Sequence, residues 1–295
     1  MPLHSTLASV ERTPVEEGEI KAFAREHQHF SVAFNLFGEC AAYVCILAST
    51  TVGDKPTWNV GQAVLGGHLV RTYKLMCFVL EEAIERRAEL LTILTRMLAE
   101  GVINLRYLVL NFSRELVESY LVYSLQHEKE LAEKIRSNVQ AREGVELPIE
   151  GRMLRSIQRT FENSLVPESA LPAKKIRNWG DKTLFEKAEA VDLPHAYSAI
   201  FGGPSRNVHG GWQDLLQHHL ECLSPGEFKA RLGFTRPRPQ AVYALTGLIA
   251  EMLLDYTQFL GHPAVDPVVE RVHDLLSRNA LASELHEAYL VAKAG

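Results

Sequence analysis

An all-α protein, a multi-helix bundle, is what this sequence predicts. Three observations carry that expectation. Apolar residues recur at intervals of three and four over long stretches, clusters of Gly, Pro and polar residues separate those stretches, and no segment shows sustained apolar–polar alternation. The chain has 295 residues, 46% of them hydrophobic, enough for a sizeable core.

Taken in order, residues 17–28 are charged and helix-prone, and residues 30–49 form an apolar helix. The stretch HFSVAFNLFGECAAYVCILAST has about the length that spans a bilayer. Asn35 and Glu39 sit in its middle, however, and a carboxylate in lipid is expensive. A buried helix is therefore expected, with Glu39 facing a polar partner and no membrane association. TTVGDKPTWN reads as a loop. From Val60 to about Glu89, the residues Leu69, Val70, Tyr73, Met76, Cys77, Leu80 and Ile84 keep helical spacing. A further helix runs from about Leu90 to Asn111, and another from Arg114 to about Gln140. REGVELPIEG breaks the pattern, 151–163 is a shorter helix, and NSLVPESALPAKK is a surface connection. TLFEKAEAVD is helical, and WQDLLQHHLECL reads as a short amphipathic helix. Residues 239–260 form a strongly apolar helix, and 265–292 two charged terminal ones. The organisation expected is an N-terminal helical extension over 1–59 packed on the core, a core domain over 60–262, and C-terminal helices over 263–295.

The formal net charge of -5 gives no blanket electrostatic footprint for nucleic acid, although RLGFTRPRP concentrates Arg231, Arg236 and Arg238 in a basic loop. That loop is either a solvated turn or a phosphate contact. Cys40, Cys45, Cys77 and Cys222 show no paired metal spacing, and their apolar settings read as buried, reduced thiols of a cytosolic protein. The N-terminus lacks a basic start followed by an apolar run, so no signal peptide and a cytoplasmic location are expected. No phosphate-binding loop, dinucleotide fingerprint or nucleophile elbow occurs. His218 and Cys222 are four apart, but no second pair accompanies them. Neither a cofactor nor a metal is expected.

The helix LLTILTRMLAEGVINLRYLVLN carries a polar stripe. With Arg96 set at zero, Glu100, Asn104, Tyr107 and Asn111 fall at about 40°, 80°, 20° and 60° around the axis. Ile93, Met97 and Ile103 flank this stripe, and Thr92, Thr95 and Arg106 lie on the side read as exposed. Arg96 and Glu100, four apart, can pair. The stripe is a surface salt bridge, a structural polar network or a functional site; apolar flanks favour an inward-facing, buried pair.

A second feature is FGGPSRNVHGGW, residues 201–212. Tyr197, Phe201, Ser205 and His209 recur at four, with Pro204 marking a kink or a fresh helix start. Gly210 and Gly211 leave room for close approach. The segment is a glycine-rich loop around a structural histidine, or it aims Ser205, Arg206, Asn207 and His209 into a site. An unperturbed histidine titrates near 6.5, suited to proton transfer.

TRMLAEGVINLRYL, the later Trp179 and YSAIFGGPSRNVHGG together resemble an uncharacterised, mostly bacterial family of helical proteins classed as a domain of unknown function. Its pattern is an Arg-x3-Glu helix, a tryptophan, and Tyr-x3-Tyr-x3-Ser-x3-His-Gly. Arg96, Glu100, Trp179, Tyr197, Ser205, His209 and Gly210 match, and Phe201 stands where the second Tyr would be. The resemblance covers roughly residues 65–260 and implies a helical fold around a polar centre. A weaker analogy is to HEPN-type helical domains, many of them ribonucleases of toxin–antitoxin or phage-defence systems. Their signature places His four to six residues after Arg, whereas RNVH has Arg-x2-His. By that analogy His209, Arg206, Arg96 and Glu100 are the expected catalytic group, with Asn104, Ser205, Asn207 and Tyr197 contacting substrate. RNA, a homodimer with His209 near its two-fold and a cognate partner protein are the expected partners. The alternative is a non-catalytic helical module that binds a small ligand or a partner protein.

Overall fold

The computed structural model describes residues 7–50, 57–202 and 210–294. These are helices with one small hairpin, so the chain is an all-α multi-helix bundle. The helices are α1 (Glu17–Lys21), α2 (Glu26–Ala48), α3 (Val60–Ile84), α4 (Ala88–Leu110), α5 (Arg114–Ala141), α6 (Pro148–Ser164), α7 (Leu184–Ala190), α8 (Pro194–Gly202), α9 (Pro239–Leu260) and α10 (Asp266–Ala294). Single helical turns occupy Glu168–Ala170, Trp179–Asp181 and Pro263–Val265.

Local sequence signals set the helix ends. Asn59 caps α3 by accepting from the Gln62 N–H at 2.9 Å, while the Gln62 side chain accepts from the Asn59 N–H at 3.0 Å. Ser113 caps α5 through the Leu116 N–H at 3.1 Å. Pro239 opens α9, where a missing N–H costs nothing, and Gly261 closes it at a left-handed φ of 55°.

The core is shared by α2, α3, α4, α9 and α10. α9 packs against α2, α4 and α10, and α3 packs between α2 and α4. Leu36, Phe37 and Tyr43 of α2, Leu98 and Leu105 of α4, and Ile249 and Leu253 of α9 all meet there and are fully buried. A smaller cluster lies between α5 and α6, around Leu125, Ala132, Ile157 and Phe161.

α2 and α3 are long and apolar enough to cross a membrane by length and composition. In the bundle, the acid at the middle of α2 has the polar partner expected of it. Arg278 of α10 donates to both oxygens of Glu39, at 2.7 and 2.8 Å, and Tyr43 Oη–H and the Thr13 N–H add bonds of 2.7 and 2.9 Å. Asp274 accepts from Arg278 Nε at 2.9 Å and bridges on to Arg12. Burial alone would raise the Glu39 pKa, but the hydrogen bonds from Arg278, Thr13 and Tyr43 hold it below the ordinary carboxylate range. This network fastens the N-terminal segment and α10 to α2.

The structure corrects several expectations. Residues 266–294 form one helix, because no Gly or Pro follows Pro267 before the last turn, and its mid-helix polar residues are buried, Arg278 on Glu39 and Asn279 Nδ2 on the Tyr243 carbonyl. WQDLLQHHLECL is not a continuous amphipathic helix. It makes one α-turn over Trp212–Asp214 and one wide π-turn over Leu215–His219, then becomes the strand β1 (Leu220–Ser224). β1 pairs antiparallel with β2 (Glu227–Ala230), Glu221 facing Lys229 at 3.1 Å, around a turn in which Gly226 takes a φ of 87°. Of the four cysteines only Cys40 is buried; Cys45 and Cys77 are half-buried and Cys222 is exposed. On α4 the side read as exposed is not so: Thr95 is buried, and Arg106 reaches α9 to pair with Asp255 at 2.6 Å and Glu251 at 3.1 Å.

Candidate functional site

The polar stripe of α4 turns away from α9 and towards α7 and α8, which both pack on α4. What these elements bring together is a mixed polar and aromatic centre. Trp179 is its hub. The single turn Trp179–Asp181 depends on glycine at 180, where φ is 63° and an added Cβ would lie 2.9 Å from Leu116 Cδ1. The Gly180 N–H is held by Ser119 Oγ at 2.8 Å. Trp179, so placed, meets Tyr107 of α4 and Tyr120 of α5 edge-on, at ring distances of 5.6 and 5.3 Å. His68 of α3 continues the wall, 5.5 Å from Tyr120.

Against this wall lies a residue whose part the sequence did not announce. Lys187 of α7 is 3% exposed, with Nζ 3.3 Å from the centroid of Trp179 and 6.0 Å from that of Tyr107. Burial pushes its pKa down to about 8, although the negative charge of Glu100 pulls the other way. A cation over an aromatic face gains up to about 2 kcal/mol when desolvated. A lysine lowered this far loses roughly 3 kcal/mol of preference for its charged form. Desolvation therefore wins, and the face holds a cation at a cost. TLFEKAEAVD shows only an ordinary amphipathic pattern; nothing in it reveals that Lys187 is buried while Lys182, just before it, is not.

The stripe residues divide by height. Arg96 is half-buried, its guanidinium 5.3 Å from the ring of Phe201. Phe201 stacks on Tyr197 at 4.6 Å, and Tyr197 packs on Phe185 of α7. Glu100 is exposed. The expected buried Arg96–Glu100 pair is thus corrected: the carboxylate stands in solvent while the arginine lies under α8. Leu and Ile flanks bury their own face against the bundle without burying a residue at the edge of the neighbouring groove. Asn104 is half-buried, and its Oδ1 is buried without a partner among the described residues. Both ring nitrogens of His68 share that condition, and burial, reinforced by Arg71, lowers its pKa to about 4.

Tyr197, Arg96, Glu100, Asn104 and Trp179 therefore gather at the α4–α7–α8 face. Ser205, Arg206, Asn207 and His209, with the kink expected at Pro204, lie outside the described residues. Gly210 takes a φ of 60°, a left-handed conformation that glycine adopts without strain. Among the described residues no group of three or more His, Cys, Asp or Glu is placed to hold a metal ion.

No curated protein and no solved structure matches the chain. Residues 62–228, more than half of the chain and spanning every part of this centre, match the family described as DUF5677, a family of unknown function. The chain belongs to that family.

Proposed function

We propose that the α4–α7–α8 face is the reactive centre of a metal-independent ribonuclease. One observation carries this reading: α8 sets Phe201 on Arg96, on the same face of α4 where Lys187 lies buried against Tyr107 and Trp179, and leads in sequence into Ser205-Arg206-Asn207-x-His209. Cleavage of RNA needs a proton shuttle and positive charge near the phosphate, and ribose supplies its own nucleophile. In the reaction the 2′-oxygen attacks phosphorus and its proton passes to His209. The bond from phosphorus to the 5′-oxygen breaks, the leaving oxygen takes a proton from water, and a 2′,3′-cyclic phosphate remains. Arg206 and Arg96 offset the charge that builds on the phosphoryl oxygens. Lys187 lies beneath the face and contributes through its field, and Asn104, Ser205, Asn207 and Tyr197 orient the nucleotide.

A second reading is a non-catalytic module binding a small ligand or partner protein through the same face. Asn104 Oδ1, buried without a partner among the described residues, favours it, because a buried acceptor without a donor is costly and a ligand donor would relieve that cost.

The test is RNA cleavage by purified protein in EDTA, beside a His209→Ala variant shown to fold. Cleavage by the parent and its loss in the variant are expected. Cleavage kept by His209→Ala contradicts the mechanism, and no cleavage by the parent over a range of RNAs passes the face to the binding reading.

A further inference from the structure

A cavity of about 810 Å³ opens on another part of the bundle, where the start of α2, the end of α3, the loop before α9 and the last turns of α10 meet. Its character departs from that of a chain whose net charge is -5. Arg25, Arg86, Arg236 and Lys293 stand around it, with Glu26 the only carboxylate among the described residues of the lining. The guanidiniums of Arg25, Arg86 and Arg236 make no hydrogen bond or ion pair with another described residue. Glu26 has a cationic or donor partner of its own, its Oε1 3.6 Å from His286 Nε2. Beneath the cations the walls are aromatic: Phe30 and Phe34 from successive turns of α2, and Tyr289 from α10. Asn35 and Ser31 add neutral polar groups on the same helix.

The arginines are held on built supports. The loop carrying Arg236 is pinned to α4, since Thr235 donates from its N–H and Oγ1 to Glu89 Oε1 at 3.0 Å each and its carbonyl accepts from the Ala88 N–H at 3.0 Å. His218 Nδ1 lies 2.8 Å from the same Thr235 Oγ1. Arg86 sits in the tight α3–α4 turn at a left-handed φ of 58°, a strained conformation for a residue with a Cβ. Its neighbour Arg87 is engaged with Glu82 at 3.3 Å and with the ring of Phe234, which leaves Arg86 to face the cavity. Lys293 lies over Tyr289, 5.2 Å from its centroid, and donates to the Ala24 carbonyl. Tyr289 in turn is backed by the fully buried rings of His29 and His286.

Unengaged guanidiniums around a cavity of drug-like size with an aromatic floor suit one chemistry, a flat ring carrying a phosphate. We infer that this cavity binds a mononucleotide, its phosphate taken by Arg86 and Arg236 and its base laid on Phe30, Phe34 and Tyr289. The basic loop read from the sequence as either a solvated turn or a phosphate contact takes the second role. This site is separate from the α4–α7–α8 face, and its test does not depend on RNA cleavage.

The experiment is calorimetric titration of the full chain with AMP, GMP, CMP and UMP, with adenosine and inorganic phosphate as separate arms, and with an Arg86→Gln/Arg236→Gln variant. Both arginines are exposed, so the variant is expected to melt with the parent. At least one mononucleotide is expected to bind saturably. Adenosine, phosphate and the double variant should each lose about tenfold or more in affinity, the cost of a missing charge-assisted contact. Absence of saturable binding by all four mononucleotides up to about 1 mM overturns the inference. So does unchanged affinity in a double variant that melts with the parent, or equal binding of adenosine.

Discussion

Two glutamates, each at the middle of a long apolar helix, show how little a residue's sequence neighbours say about its energy. Glu39 and its partner Arg278 have side chains 1% and 6% exposed, whereas Glu100 is exposed beside a half-buried arginine. Replacing Glu39 with Ala takes the buried carboxylate from Arg278 and leaves it only the part-exposed Asp274 and the Thr13 carbonyl. Breaking a buried pair from one side costs roughly 3–5 kcal/mol. Replacing Glu100 with Ala removes only a solvated charge and is expected to cost under about 1 kcal/mol. Urea melts of the two variants decide this, and equal midpoints would deny the difference in burial. The expectation of a polar partner for Glu39 needed only the cost of a lone carboxylate among Leu, Phe and Val. That the partner is Arg278, 239 residues away, depends on how α10 docks and is written nowhere near Glu39.

Helices were legible where periodicity and caps agree. Val60 to Ile84, Arg114 to Ala141 and Pro239 to Leu260 end within a few residues of where their apolar spacing stops, because Asn59, Ser113, Pro239 and Gly261 supply strong local punctuation. The hairpin was hidden because it is short and largely exposed. Neither strand alternates cleanly, and the four-residue spacing of His218 and Cys222 mimics a helix. The Pro225-Gly226 pair was the available signal, and the π-turn before β1 was the feature that masked it. On α4 the angular stripe was sound, but angle alone does not say which neighbour a face meets. Arg106, assigned to solvent, meets α9, and the stripe borders a groove and not the centre of the core. Lys187 was missed because its burial is set by Trp179, Tyr107 and α8, all outside its own helix.

At the scale of the molecule, buried neutral histidines are spread through the bundle. His29 and His286 are fully buried at 4.9 Å from each other, with Glu26 and Tyr289 as polar neighbours; His218 lies against Thr235 and Glu89, and His68 beside Tyr120. Burial lowers the pKa of all four, to about 4 for His29 and His68. In the unfolded chain histidine titrates near 6.5, so the unfolded state takes up protons first as pH falls. The stability these rings contribute is complete above about pH 6.5 and is lost progressively as pH falls towards 4, on the order of a few kcal/mol for each strongly shifted ring. Glu39 and Asp274, held below their ordinary ranges, lose their contribution only at lower pH. The urea midpoint is therefore expected to drop clearly between pH 7 and pH 5. A midpoint constant over that interval would mean that the rings are not buried neutral.

Lys187 separates a face that serves chemistry, as proposed for α4–α7–α8, from one that serves architecture alone. Methionine keeps the apolar stem over Trp179 and removes a cation that burial disfavours. The measurement is the RNA-cleavage rate of Lys187→Met at neutral pH, followed beside its melting temperature. A melting temperature equal to or above that of the parent, with cleavage reduced about tenfold or more, is the result predicted. A chain that melts lower while cleaving at the parental rate would make the lysine a structural element and contradict the account.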